Sequence, residues 1–173
     1  MTTVRRVAAG ETELAMEVTD LINRAYLPAQ AELFETLVER TSVEAIARSI
    51  ETGELVIAER DGEIVGSVLA PSTDERVGYF GTLAVRPEAA STGVARAIVE
   101  TIEADALARG LVAMELDLLM PEPPTPHQSR LRGWYERRGY LPVRARPFAE
   151  LDREGAAHLL YPTQLIRYSK SLA

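Results

Sequence analysis

"GTLAVRPEAASTGVARAIVETIEADALARG", residues 81–110, is the stretch whose reading decides the fold. It begins with strand character, crosses a proline and a turn of small residues, Ala90-Ser91-Thr92-Gly93, and continues as a periodic helix. Ala95, Ile98, Val99, Ile102 and Ala106 follow the i, i+3, i+4 rhythm of a helix face turned to a core. Gly110 stands where a helix is expected to stop. A helix N-terminus carries unsatisfied N–H groups and roughly half a positive charge, so a tight turn before it is a ready anion cradle. The same residues also suit a plainer role, with Ser91 or Thr92 as an ordinary N-cap. Taken alone, the turn leaves both readings open.

Upstream, "ELVIAER" and "EIVGSVLA" read as two strands joined through Asp61-Gly62, a strong two-residue hairpin signal. "RVGYFGTLAV" is expected to add a third strand, with Val77, Tyr79, Leu83 and Val85 on one face. The chain opens with a short strand, "TTVRRVAA", and a helix over "GETELAMEVTDLINRAY". That helix has Leu14, Val18, Leu21 and Ile22 on one face and Pro28 beyond its end. "AELFETLVER" and "SVEAIARSI" are further helical patches, the second with Ser42 as N-cap.

Downstream, "VAMELDLL" alternates, placing Val112, Met114, Leu116 and Leu118 on one face and Ala113, Glu115, Asp117 and Leu119 on the other. A proline-rich loop "MPEPPTPHQ", a short helix "SRLRGWYERR" ending at Gly139, and strands "YLPVRARP" and "TQLIRYSK" complete the chain. Three antiparallel strands followed by strand–helix alternation predict a mixed α/β sheet.

At 173 residues the chain suits one well-buried domain, expected over 1–173. With no cysteine there is no disulfide, thiolate metal site or cysteine nucleophile, and two histidines make a multi-histidine metal site unexpected. A net charge of −7 argues against a binder of large nucleic acids. No apolar run approaches the ~18 residues of a membrane span, and "MTTVRRVAAG" lacks a signal-peptide core. A cytoplasmic protein with neither membrane nor nucleic-acid partner is the expectation.

Three separated features carry a family resemblance. Leu83-Ala84-Val85, Pro87, Gly93 and Ala95 match a strand end, a proline and the closing positions of R/Q-x-x-G-x-G/A before a long helix. "LRGWYERRGY" resembles a helix end of the form YE(K/R)xGF/Y, and "AERDGEIVGSVLA" resembles a preceding hairpin. Together, over roughly residues 12 to 147, they resemble the GNAT superfamily of acyl-CoA-dependent N-acyltransferases. The resemblance implies a GNAT-like mixed, mostly antiparallel central sheet flanked by helices. It implies acetyl-CoA as cosubstrate, no metal, and direct attack by a primary amine of a small molecule or peptide. One departure stands out: Ala90 replaces the Arg or Gln whose side chain would meet the pyrophosphate, and Ser91 replaces a glycine. The hydroxyls of Ser91 and Thr92 are the expected substitutes.

The resemblance places the coenzyme along Leu83, Ala84 and Val85 and over Ala90, Ser91, Thr92, Gly93, Val94 and Ala95, with the thioester between the strand ending at Val85 and the strand beginning near Val112. A backbone N–H near Val85 would polarise its carbonyl. Tyr135 is implied as the acid that protonates the leaving thiolate, and a phenol of ordinary pKa, about 10, stays protonated at neutral pH. Its competing reading is a packing aromatic paired with Trp134. Glu115 and Asp117 share a strand face; like charges there raise each other's pKa and suit proton uptake, unless the face is solvated or salt-bridged. Tyr79 stands where many family members carry an acid, which removes one familiar base.

Residues 20–40, with Asn23, Tyr26 and Phe34, correspond to the family's acceptor wall; loop 120–128 with His127 and segment 148–162 are also expected to shape the acceptor pocket. His158 reads as structural. The apolar last strand is a candidate for pairing in a homodimer. A non-catalytic acyl-CoA-binding regulatory module of the same fold is the alternative. A nucleotide-binding α/β domain would want G-x-G-x-x-G or a P-loop, and neither occurs.

Overall fold

Asp61 and Gly62 both adopt positive φ, 53° and 83°, the geometry of a tight hairpin between β2 (Leu55–Arg60) and β3 (Glu63–Leu69). A computed structural model describes residues 1–73 and 75–173. The chain divides into two compact units. The first contains Met1–Tyr26, Glu39–Met114 and Leu172–Ala173; the second contains Leu27–Val38 and Glu115–Ser171.

In the first unit the hairpin is flanked by β1 (Thr2–Arg6) and β5 (Gly81–Val85), giving an antiparallel sheet of order β1-β2-β3-β5. Leu55 and Ile57 point to one face, where they join Val18, Leu21 and Ile22 of α1 (Ala15–Leu33) and Ile46 and Ile50 of α2 (Val43–Glu51). Ser42 caps α2, accepting from Ala45 N–H at 3.2 Å. The opposite face takes α3 (Val94–Ala108), which buries Val94, Ile98, Val99, Ile102 and Ala106. Val94 thus replaces the expected Ala95 at the head of the buried stripe.

Two expectations fail here. The single strand over residues 76–85 breaks into β4 (Val77–Tyr79) and β5. Phe80 is wholly buried, Thr82 adopts φ 53°, and the β3–β5 register shifts so that β5 carries one extra residue between Gly81 and Ala84. Gly78, Phe80 and Ala84 are the buried residues, while Val77, Leu83 and Val85 are half-buried and Tyr79 is exposed. β4 instead lies beside the start of β6 (Ala113–Pro121), and Val112 N–H reaches Arg76 O at 2.7 Å.

Pro28 likewise lies inside α1 rather than beyond it. An interior proline costs about 3 kcal/mol through a lost N–H and a clash, but Ala29, Gln30, Ala31, Glu32 and Leu33 are all strong helix formers. The separate helix expected from Ala31 onward does not form, and residues 35–41 are irregular.

In the second unit β6 continues beside β8 (Thr163–Ser171), which pairs antiparallel with β7 (Leu141–Pro147). β8 therefore has a neighbour on each side, so the last strand offers no free edge for a dimer; β7 is the edge. Thr125 caps α4 (Pro126–Glu136), with Pro126 in its first turn. His127, expected in a loop, is helical. Asp152 caps the single turn α5 (Arg153–Ala156). No helix among the described residues is long and apolar enough to cross a membrane.

Candidate functional site

The link from β5 to α3 passes a 3₁₀ turn, Pro87–Ala89, and then Ser91 at φ 61° and Gly93 at φ 88°. A left-handed conformation at a residue bearing a Cβ costs on the order of 1–3 kcal/mol and collects at functional turns. Gly93 is the N-cap of α3 and supplies no side chain, so neither Ser91 nor Thr92 caps the helix. The helical ladder starts with Ala97 N–H on Gly93 O at 3.0 Å. The N–H groups of Val94, Ala95 and Arg96 therefore open onto the turn without a side-chain cap. A Cβ built on Gly93 would meet nothing within 4 Å, so the space beside the turn is open.

Thr92 Oγ1 donates to Ala89 O at 2.6 Å and accepts from Arg60 Nη1 at 3.2 Å. Its proton is held inside the turn, so this hydroxyl is not the simple substitute for a missing cation that the sequence suggests. Ala90 is exposed and Ala84 buried; Leu83, Val85 and Ala95 are half-buried.

Val85 closes β5, an edge strand of the first unit's sheet. Gly66 is its cross-strand partner, and the next residue, Arg86, donates its N–H to Val65 O at 2.8 Å. Antiparallel ladders alternate bonded and non-bonded pairs, so Val85 N–H faces away from β3, off the edge of the four-stranded sheet. Nearby, Arg40 donates to Thr82 Oγ1 at 3.2 Å and stacks 5.1 Å from the centroid of Tyr26. Burial pushes the Tyr26 phenol up, the Arg40 charge opposing. Asn23 is tied to Thr41 by two backbone bonds, 3.0 and 3.1 Å.

In the second unit, β6 alternates as expected, with Leu116 and Leu118 buried and Glu115 and Asp117 together on the other face. Arg167 of β8 joins the two carboxylates. Its Nε and Nη2 donate to Asp117 at 2.6 and 2.9 Å, and its Nη1 donates to Glu115 at 3.0 Å. The salt-bridged alternative is the one built; unopposed like charges, the premise for expecting proton uptake, are absent from this face. The bonds to Asp117 hold the Arg167 guanidinium still further above arginine's usual range, with burial opposing and Glu115 adding to the effect.

Tyr135 lies near the end of α4 and is buried, its ring edge-on to Trp134 at 4.9 Å and to Tyr140 at 5.7 Å. Gly139, at φ 90°, turns the chain out of the helix. Segment 148–162 borders an open cavity of about 340 Å³ lined by Pro147, Leu159, Tyr161 and neighbours. Phe34 bridges Leu159 and packs on Phe148 at 6.3 Å, while His158 contributes its carbonyl to Glu35 N–H at 2.8 Å. No group of three or more acidic or histidine side chains suited to a metal occurs among the described residues.

The profile of the acetyltransferase (GNAT) family matches residues 16–140, running through both units. The chain belongs to the GNAT acetyltransferase family. No curated protein matches the sequence. Solved structures share the GNAT fold at low identity. An aminoglycoside 6′-N-acetyltransferase complexed with coenzyme A matches with a TM-score of 0.74 at 16% identity, covering 99% of this chain and 97% of that one. The PaiA N-acetyltransferase from Thermoplasma acidophilum, in complex with coenzyme A, gives 0.73 at 12% identity with 99% of each chain covered. The ribosomal-protein-S18-alanine N-acetyltransferase from Escherichia coli gives 0.67 at 13%, covering 100% of this chain and 95% of that one.

Within this GNAT chain the structure brings Leu83, Ala84, Val85 and Ala90 to Ala95 into one continuous strand–turn–helix segment of the first unit, while Glu115, Asp117 and Tyr135 fall in the second. Sequence reading misses three arginines: Arg40, Arg60 and Arg167. Their side-chain hydrogen bonds reach residues 32 to 58 positions away, so no local spacing marks them.

Proposed function

We propose that this GNAT protein binds acetyl-CoA and transfers its acetyl group to a primary amine of a small molecule or peptide by direct attack. The observation that carries this reading is the uncapped start of α3 after the strained Ser91–Gly93 turn, on the same segment as the outward-facing Val85 N–H. The residues fit the coenzyme. Backbone N–H groups of Val94 to Arg96 suit a pyrophosphate, and the open space at Gly93 admits it.

The bound coenzyme supplies an activated thioester. Ala90 to Ala95 hold the phosphates, Leu83 to Val85 align the pantetheine arm, and Val85 N–H donates to the acyl carbonyl as charge builds on its oxygen. Tyr135 gives its phenolic proton to the departing sulfur. Glu115 and Asp117 with Arg167 form a trio of net charge −1, which attracts a cationic acceptor. In this reading Glu115 and Asp117 orient the acceptor's amine, and its proton leaves to solvent water.

The test is calorimetric titration with acetyl-CoA, with pantetheine as a control that lacks the pyrophosphate, followed by an amine screen reading coenzyme thiol release. Saturable binding that needs the pyrophosphate supports the reading. No binding at millimolar coenzyme overturns it. Tyr135→Phe separates an enzyme from a non-catalytic binding module: the enzyme loses turnover and keeps coenzyme affinity.

A further inference from the structure

Arg60 ends β2, with Thr2 of β1 and Glu63 of β3 as its strand partners. Its guanidinium extends to the start of α3. Nη1 donates to Thr92 Oγ1 at 3.2 Å, while Nε and Nη2 donate to Thr2 Oγ1 at 3.1 and 2.9 Å. Although Glu59, Asp61 and Glu63 surround it in sequence, it forms no ion pair among the described residues. Arg5, Arg6, Arg24, Arg86, Arg96 and Arg109 of the same unit all do. Of the first unit's other arginines without an ion pair among the described residues, Arg40, Arg48 and Arg76 are exposed, whereas Arg60 is half-buried beside an uncapped helix N-terminus.

The hydrogen-bond inventory sharpens this. A guanidinium has five N–H donors; three are committed to Thr2 and Thr92, which leaves one on each Nη. Two donors on one planar fork suit phosphate oxygens. Thr92 accepts from Arg60 while giving its own proton to Ala89 O, so it fixes the fork against the turn and is not itself a phosphate donor.

We propose that Arg60 is the coenzyme's phosphate-binding cation, delivered through space from the end of β2 in place of the side chain absent at Ala90, with Thr92 and Thr2 as its positioning residues. This rests on the reading of the Ser91–Gly93 turn as the coenzyme site. The partner chemistry is a phosphate oxygen, of the pyrophosphate or of the 3′-phosphate.

The experiment is calorimetric titration of wild type, Arg60→Ala, Arg60→Gln and Arg60→Ala/Ala90→Arg with coenzyme A and with dephospho-coenzyme A. Thermal melts check folding; Arg60→Gln keeps a donor toward Thr92 and Thr2 if the alanine variant unfolds. The expected result is a loss of about 10- to 100-fold in both single variants, the scale of a charge-assisted hydrogen bond. A cation returned at exposed position 90 restores most of it, which a purely structural role of Arg60 would not. An equal loss for both ligands assigns the contact to the pyrophosphate, and a loss for coenzyme A alone assigns it to the 3′-phosphate. Wild-type affinity in folded Arg60→Ala and Arg60→Gln overturns the proposal and leaves the turn's role standing. Absence of coenzyme binding by wild type overturns both.

Discussion

Arg167 grips Asp117 with two parallel hydrogen bonds, 2.6 and 2.9 Å, and reaches Glu115 with a third nitrogen. Fork-on-carboxylate pairs are the strong class of ion pair. With side-chain exposures of 26% and 15%, water still screens this one in part. Replacing Arg167 with methionine leaves two like charges together without their cation. Removing one partner of a fully buried pair costs ~3–5 kcal/mol, so we expect about 2 kcal/mol here. Asp117→Asn in the same background should recover part of that loss in urea denaturation. Additive losses would mean that the two residues act separately.

Two glycines make opposite predictions. A Cβ on Gly66 would fall 2.8 Å from Val94 Cγ1, 2.9 Å from Ile98 Cδ1 and 3.1 Å from Ala84 O. Gly66→Ala should therefore push the first turn of α3 off the sheet, at a cost of about 1–3 kcal/mol, and weaken coenzyme binding at the same time. Gly93 has room for a side chain but sits at φ 88°. Gly93→Glu should cost only about 1 kcal/mol of stability, as for other strained left-handed residues, and keep its circular dichroism. It should nevertheless abolish coenzyme binding, because it puts a carboxylate at the turn proposed to hold the phosphates. Binding at wild-type strength would remove the turn from the site.

Ser67 is the one buried side chain among the described residues whose hydroxyl lacks a hydrogen-bond partner. It is wholly buried on β3, opposite Ile57 and Ala84. An orphaned buried hydroxyl carries a desolvation penalty of about 1–3 kcal/mol. Ser67→Ala should raise the midpoint of thermal unfolding by a few degrees, and a lower midpoint would point to a partner for the hydroxyl.

Alkaline pH should destabilise the fold through Tyr26 and Tyr168. Burial raises both phenols in the folded state. For a group whose folded pKa is raised, the contribution to stability is full below the unfolded value, about 10 for tyrosine, and is lost as pH rises through the folded value. Urea midpoints should stay level from pH 8 to about 10 and fall above it. Tyr26→Phe should fall less steeply, Tyr168 retaining its own share. Identical profiles for the two proteins would show that Tyr26 does not titrate differently on folding.

Local patterns carried much of the architecture. The Asp61-Gly62 hairpin, the Ser42 cap, the alternation of β6 and the periodic stripe of α3 depend on neighbours within a few residues, so each is visible in the chain itself. The strand–turn–helix segment from Leu83 to Ala95, and with it the family, was legible for the same reason. Where the pattern misled, a longer-range demand prevailed. Burial of Phe80 and the bulge at Thr82 split a strand that reads as continuous, and strong helix formers after Pro28 carried α1 through a residue that usually ends a helix.

By itself, then, the sequence determined the family, most of the elements and the strand–turn–helix segment around Ser91–Gly93, since those follow from propensity and periodicity along the chain. The tertiary structure alone decided how that turn is charged and how the paired acids are neutralised. Arg60 meets Thr92 from 32 residues away and Arg167 meets Asp117 from 50. An arginine on a strand looks the same in sequence whether its guanidinium ends in solvent, on a carboxylate or at a helix N-terminus. Only the packing of the sheets fixes which, because the charge lies at the end of a long side chain and finds its partner across strands.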